Sequence, residues 1–193
     1  MYPVARGTAP LIVALASAAF LGEAPTPAEA AAVAAIGLGV VLMSTDADGP
    51  RPAAPRTALA WALGTAAFTA AYTLVDGVGA RLAGTASGFT LWMFVGDGLG
   101  MLAAALGARG AGGLVRLLPA WRSGLAAGAM SLGSYWIAIW AFTRAPIALV
   151  AALRETSVLF AMLLAVFVLG ERAGARRWGA AALVTAGVML MRA

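Results

Sequence analysis

The chain contains no cysteine, no histidine and no lysine. Without cysteine there is no disulfide and no thiolate nucleophile, and without either residue the usual ligands of zinc and other transition metals are missing. The absence of histidine leaves the carboxylates as the side chains for any proton transfer near neutral pH. The sequence therefore predicts no metal site and no cofactor.

Charged residues are scarce as well, at 11% of the chain, whereas 62% of the residues are hydrophobic. The mean hydropathy is +0.91. A soluble domain is about 25% charged, so this composition predicts a membrane protein with several spans. All thirteen basic residues are arginines, most of them in short loops between apolar runs, and the net charge is +5. This distribution argues against a nucleic-acid partner.

Seven apolar stretches have the length of a membrane-spanning helix, about 20 residues. The segments between them, such as "GEAPTPAE" and "STDADGPRPAAPR", carry turn and charge signals. We therefore predict an all-α membrane protein with seven transmembrane helices. The stretches cover residues 3–21, 27–43, 58–77, 88–107, 124–142, 147–169 and 176–192.

An internal repeat links the first helices to the last. "ARGTAPLIVALASAAFLGE" aligns without a gap with "LRETSVLFAMLLAVFVLGE". Arg6 then aligns with Arg154, and the Leu-Gly-Glu of 21–23 aligns with that of 169–171, whose glutamates, Glu23 and Glu171, we expect to be solvated at helix ends. Aligned arginines and an aligned Leu-Gly-Glu favour a true duplication, which is common among transporters.

The repeat also predicts the domain organisation. Residues 1–43 form the last two helices of a first repeat, 44–57 a linker, and 58–193 a second repeat of five helices. Because five is an odd number, the two copies cross the membrane in opposite directions, as in inverted five-plus-five architectures. We expect about three further helices before Met1, which would make this chain a truncated form.

The arginines predict an orientation in the membrane. Loops 44–57, 108–123 and 170–175 alternate with loops that carry few basic residues. The positive-inside rule places these three loops in the cytoplasm and the C-terminus outside. The arginines in or beside them are Arg51, Arg56, Arg109, Arg116, Arg122, Arg172, Arg176 and Arg177.

Asp97, in "LWMFVGDGLGML", is predicted near the middle of its helix. Glycines on either side would let a solute or a backbone approach closely. Asp97 could be a substrate-binding or proton-binding carboxylate. Alternatively it forms a structural salt bridge with Arg154 or Arg6, because intramembrane charges pair with one another in either case.

Arg154 and Glu155 interrupt another apolar run. As neighbours on a helix they point about 100° apart and do not face each other. Arg154 recurs in the repeat as Arg6, whereas Glu155 is replaced by Gly7. We expect both to face a wet interior, with Glu155 or Asp97 responding to protons if transport is proton-coupled.

Aromatic residues supply the remaining candidates. Tyr72 lies one helical turn before Asp76, although Asp76 at a helix end could simply be solvated. Tyr135 and Trp136 could line a cavity or belong to the interfacial aromatic belt. The predicted solute cavity is formed by Arg6, Tyr72, Asp97, Tyr135, Trp136, Arg154 and Glu155.

Asp76 and Asp97 occupy successive helices, as do the paired aspartates of intramembrane aspartyl proteases, which suggests an enzyme. Their contexts here are "LVDG" and "FVGDG", which lack the YD and GxGD motifs, and no Pro-Ala-Leu motif follows. Two carboxylates alone do not make a catalytic dyad. We therefore predict that the chain is not an enzyme.

The stretches "YPVARGTAPLIVAL", "AYTLVDGVGARLAG" and "APIALVAALRETSVLFAMLLAVFVLGER" resemble EamA-type permeases of the drug/metabolite transporter superfamily. The resemblance implies a ten-helix permease that moves a small organic solute or metabolite across the cell (plasma or inner) membrane by alternating access. Its partners would be the solute and the lipid bilayer.

Two departures from the family leave an alternative open. We expect the first three helices of the family's fold to be missing from this sequence, and its arginine distribution disagrees with the family's cytoplasmic termini. The alternative is a non-transporting membrane scaffold or subunit, including a homodimer that completes the missing helices in trans, or an inactive truncated fragment.

Overall fold

The computed structural model describes residues 2–43, 56–115, 118–171 and 173–191, which are helical and contain no strand. Most of the predicted linker 44–57 lies outside these ranges, as do Arg51, Arg116, Arg172 and Arg192. Short turns Ser17–Leu21 (π) and Leu118–Ala120 (3-10) accompany the α-helices. The α-helices are α1 (Tyr2–Ala16), α2 (Pro27–Met43), α3 (Arg56–Leu82), α4 (Ala86–Val115), α5 (Trp121–Phe142), α6 (Ile147–Arg154), α7 (Ser157–Phe167) and α8 (Ala175–Leu190).

All seven predicted stretches are helical, and five of them are long and apolar enough to cross a membrane. Helices α2 and α8 are shorter, with 17 and 16 residues. The protein is therefore a multi-pass membrane protein. The five long spans are Val4–Leu21, Arg56–Leu82, Ala86–Gly113, Trp121–Phe142 and Ile147–Phe167.

The loop expected at 78–87, between the predicted spans 58–77 and 88–107, is shorter in the structure, because α3 continues to Leu82 and α4 begins at Ala86. The last turn of α3 is stabilised by Arg81, whose Nε donates to the Phe142 carbonyl oxygen at 2.8 Å. Gly84, with φ of +72°, makes the tight turn that remains. At its other end α3 begins at Arg56, inside the predicted linker.

The chain forms two compact units, Met1–Val75 with Ala145–Ala193, and Asp76–Arg144. In the first unit α2 packs against α1, α6 and α8. Its core contains fully buried Ile36, Ile147 and Val184. In the second unit α4 packs against α5.

Helices α2 and α8 meet through two glycines that make reciprocal contacts. A Cβ atom added to Gly39 would lie 3.0 Å from the carbonyl oxygen of Ala180. One added to Gly187 would lie 3.0 Å from the carbonyl oxygen of Ala32. The two helices therefore run antiparallel, and the glycines let their backbones approach closely.

The turns that follow α1 and α7 also have the same geometry. The glycine in each adopts a left-handed conformation, with φ of +68° at Gly22 and +69° at Gly170. The next amide bonds to the carbonyl six residues earlier, Glu23 to Ser17 at 3.2 Å and Glu171 to Ala165 at 3.0 Å. Such bonds satisfy carbonyl groups left open at a helix end.

Candidate functional site

The run predicted as one helix over 147–169 is broken in the middle. Helix α6 ends at Arg154 and α7 begins at Ser157. The amides of Glu155 and Thr156 bond to carbonyl groups three residues back, each at 3.1 Å. The Thr156 hydroxyl also donates to the Leu153 carbonyl oxygen at 2.7 Å. Shorter-range bonds tighten the turn, and threonine bonding to its own backbone often bends a helix.

An ion pair joins this helix break, residues 155–156, to α1. Arg6 Nη1 donates to Glu155 Oε2 at 3.4 Å. The Glu155 side chain is 12% exposed and that of Arg6 39% exposed. The structure thus makes Glu155 a partner of Arg6, while a salt bridge from Asp97 to Arg154 or Arg6 stays a prediction. A charge-assisted bond offsets part of the cost of withdrawing Glu155 from water.

A close contact between α1 and α2 positions Arg6. Its neighbour Gly7 packs so tightly that an added Cβ atom would lie 2.5 Å from the carbonyl oxygen of Gly37. A Cβ atom at Gly37 would likewise meet the Gly7 carbonyl oxygen at 2.6 Å. Arg6 is thus next in sequence to Gly7, where α1 packs closely against α2.

Glu23 positions the start of α6. Its carboxylate accepts a hydrogen bond from the backbone N–H of Ile147 at 3.1 Å. The sequence predicted a solvated Glu23, but an amide at a helix N-terminus lacks an intrahelical acceptor and favours a negative charge. The aligned Glu171 is exposed and lies 4.0 Å from Arg177 instead. No local pattern indicated the Glu23 contact, because the two residues are far apart in the chain.

A second polar cluster lies in the unit Asp76–Arg144. The Tyr135 hydroxyl donates to the Asp76 carboxylate. The ring of Phe94 meets the Tyr135 ring edge-on, with centroids 6.1 Å apart. The structure thus gives Asp76, which we considered solvated at a helix end, a partner on α5.

The other predicted cavity residues lie on α3, α4, α5 and α6. Tyr72, Asp97 and Trp136 are exposed, and Arg154 is half-buried. Among the seven candidates, Arg6 and Glu155 form an ion pair. The candidate site is therefore the Arg6–Glu155 pair at the helix break, with Arg154 beside it in sequence.

This arrangement combines a cation and an anion inside membrane-spanning helices. The guanidinium presents donors that match a carboxylate, and the carboxylate accepts hydrogen bonds from an ammonium or hydroxyl group. The amides and the carbonyl groups of Glu155 and Thr156 are hydrogen-bonded, so the polar groups available at the helix break are side chains. The pair could therefore open to admit a polar solute.

Comparison with known protein families gives one match. The sequence model of the EamA-like transporter family matches residues 56–193. The matched region begins at the first residue of α3 and includes α6, the helix break, α7 and α8. No curated protein and no solved structure matches the chain.

Proposed function

Because the chain belongs to the EamA-like transporter family, we propose that it carries a small organic solute or metabolite across the cell (plasma or inner) membrane. Transport is secondary and proceeds by alternating access. The family match and the five apolar spans support this function. No reaction is assigned to the protein, since members of this family transport rather than catalyse.

The Arg6–Glu155 pair at the helix break is the observation that carries the proposal. Ionisable groups inside a membrane are costly and usually functional, and they face the protein interior or a wet cavity. Because Arg6 is the more exposed partner, it is the group that a solute carboxylate reaches first. Arg154 adds a second positive charge beside the break, which favours solutes that carry a carboxylate.

The proposed architecture is an inverted repeat in which α1 and α2 correspond to α6–α7 and α8. The reciprocal contacts of Gly39 and Gly187 support it, because a two-fold axis between α2 and α8 exchanges them. The matching turns at Gly22 and Gly170 also support it. In such folds the solute site forms near the midplane, between the repeats.

Tyr72, Asp97, Tyr135, Trp136 and Arg154 complete the proposed set of cavity residues. Each is proposed from its place in the sequence, on or beside an apolar span. Tyr135 is bonded to Asp76, so that pair would act as one unit. The Arg6–Glu155 pair remains the centre of the proposal.

A flux assay on the purified full chain in lipid vesicles tests the function. Carboxylates, amino acids and amines are offered in turn, with protein-free vesicles as the blank. We expect saturable uptake of a carboxylate-bearing solute, reduced about tenfold in Arg6→Gln, the effect of losing about 1.4 kcal/mol of binding. Arg122→Gln is the matched control, because Arg122 is exposed at the start of α5 and stacks on Trp121.

Two results would contradict the proposal. Absence of saturable flux for every solute class, from protein that remains folded, would favour a scaffold or subunit. If the flux is unchanged in Arg6→Gln, the protein is a transporter, but its solute site does not include the ion pair.

A further inference from the structure

An apolar groove of about 450 Å³ runs along the surface between α7 and α8. Its walls include Leu159, Met162 and Leu163 of α7, and Trp178, Ala182 and Met189 of α8. The volume is in the range of ligand sites. The groove lies outside the Arg6–Glu155 pair and is independent of the proposed solute site.

The repeat alignment explains why this helix pair is open. Helices α1 and α2 close where Gly7 meets Gly37, with no room for a Cβ atom. The residues aligned with these glycines are Glu155 and Thr185. These two positions carry side chains where α1 and α2 carry none, and a groove remains between α7 and α8.

The lining excludes water as the occupant. Thr185 is its one hydroxyl residue, and that hydroxyl donates to the Ala181 carbonyl oxygen at 2.9 Å. A water molecule needs two to four polar partners, which this lining does not provide. An empty groove would also lose dispersion contacts along both walls. An apolar occupant such as an acyl chain fits this lining.

The groove has the length of one bilayer leaflet. Trp178 and Met189 are eleven positions apart on α8, a rise of about 16 Å at 1.5 Å per residue. One leaflet contributes about half of a hydrocarbon core that is about 30 Å thick. Trp178 lies in the first turn of α8, where tryptophan is typical of the membrane interface.

A positive charge lies at this end of the groove. Arg177 is one turn before Ala181, which lines the groove. Its contact with the exposed Glu171 is long, at 4.0 Å, and such pairs contribute little. A phosphate group at the N-terminus of α8 would be attracted both by Arg177 and by the helix dipole.

We propose that the groove between α7 and α8 binds an anionic phospholipid. One acyl chain lies between Leu159 and Ala182, and the headgroup phosphate contacts Arg177. Basic side chains beside membrane helices select anionic lipids in this way, at about 1 kcal/mol per charge, which corresponds to about a fivefold preference.

Photolabelling of the full chain in phosphatidylcholine vesicles tests the proposal. A trace of phosphatidylglycerol carries a diazirine halfway along one acyl chain, and crosslinks are located in tryptic peptides. Because the chain has no lysine, trypsin separates α7, in 155–172, from α8, in 178–192. We expect these two peptides to be labelled several-fold more per residue than 82–109, from the largely exposed α4.

Filling the groove should abolish this excess. Ala186→Phe places an aromatic ring between the helices, and Ala182→Leu is a milder second variant if the first does not fold. Ala104→Phe, at an exposed site on α4, is the matched control and should leave the labelling unchanged. Equal labelling of all peptides, or labelling that survives both groove variants, would overturn the proposal.

The headgroup part is tested with the same label on phosphatidylcholine. We expect about fivefold less labelling of the groove peptides than with phosphatidylglycerol, and no difference between the lipids in Arg177→Gln. Equal labelling by both lipids in the unaltered chain would overturn anionic selection. Displacement of the label by a transported solute would assign the groove to that solute and overturn the lipid proposal.

Discussion

The Arg6 guanidinium and the Glu155 carboxylate meet at 3.4 Å although 149 positions separate them in the chain. This contact joins α1 to the helix break. Each position therefore favours a side chain whose charge is opposite to that of its partner. Reversal of one charge places two like charges together, which is strongly unfavourable in a low-dielectric interior. The ion pair can therefore be tested by exchanging the residues at positions 6 and 155.

We expect Arg6→Glu and Glu155→Arg each to reduce folded protein or transport by more than about tenfold, as expected when a buried charge loses its partner. The double exchange should recover a substantial part of the folded protein, because the opposite charges meet again. Yield from membranes, thermal unfolding in detergent and flux are measured for all three variants. Losses that simply add in the double variant would show that the residues act independently.

The carboxylate of Glu155 is the group through which we expect pH to act on transport. Protonation removes its negative charge and weakens its bond to Arg6, whereas glutamine cannot titrate. Transport by Glu155→Gln should therefore lose the dependence on pH seen in the unaltered protein. Glu171→Gln is the matched control, since Glu171 is an exposed carboxylate after α7. Asp97→Asn is measured in parallel, and an unchanged pH profile in both Glu155→Gln and Asp97→Asn would exclude either group as the proton site.

Gly7→Ala should destabilise the protein, because the added methyl group would lie 2.5 Å from the Gly37 carbonyl oxygen. Overpacking of this kind costs about 1–3 kcal/mol. Gly64→Ala is the control: an added Cβ atom there meets nothing within 4 Å, and alanine favours the helix. Thermal unfolding in detergent should show a lower midpoint for the first variant and an equal or higher one for the second. Equal midpoints in the two variants would contradict the close packing of α1 on α2.

Tyr135→Phe removes the hydroxyl that donates to Asp76. A hydrogen bond to a charged group contributes about 1.5–3 kcal/mol, so we expect a clear loss of stability. Tyr72→Phe changes an exposed tyrosine in the same way and should have little effect. The difference between the two unfolding midpoints measures the contact, and its absence would show that Asp76 is satisfied without Tyr135.

The positions of the helices were predictable because apolar length alone selects a membrane span. The length of the loop at 78–87 was not predictable. Glycines usually end a helix, but α3 continues past its glycines to Leu82, where Arg81 bonds to the Phe142 carbonyl oxygen. The helix break at Glu155 was also missed. The apolar run 147–169 predicts one membrane span. The break within it depends on the backbone hydrogen bonds of Glu155 and Thr156, which the amino-acid composition does not indicate.

For the site, the repeat drew attention to Arg6, Arg154 and Glu155, and the structure joins two of them. The pairing itself was not predictable, because any of several carboxylates could have faced Arg6. Glu23 and Asp76 were both considered solvated, as residues at helix ends usually are. Their partners, Ile147 and Tyr135, lie on other helices, and a single sequence carries no signal for such contacts.

The reciprocal contacts of Gly39 and Gly187 have a consequence for how this fold could originate. Gly39 approaches Ala180 while Gly187 approaches Ala32, which is the exchange of contacts that two identical polypeptides make around a two-fold axis. Under the proposed inverted repeat, a short ancestral chain with helices such as α1 and α2 would have paired with a second copy inserted the other way up. Fusion of the two genes would have made that pairing permanent and left each half free to diverge, which would account for glycine at position 7 and glutamate at position 155.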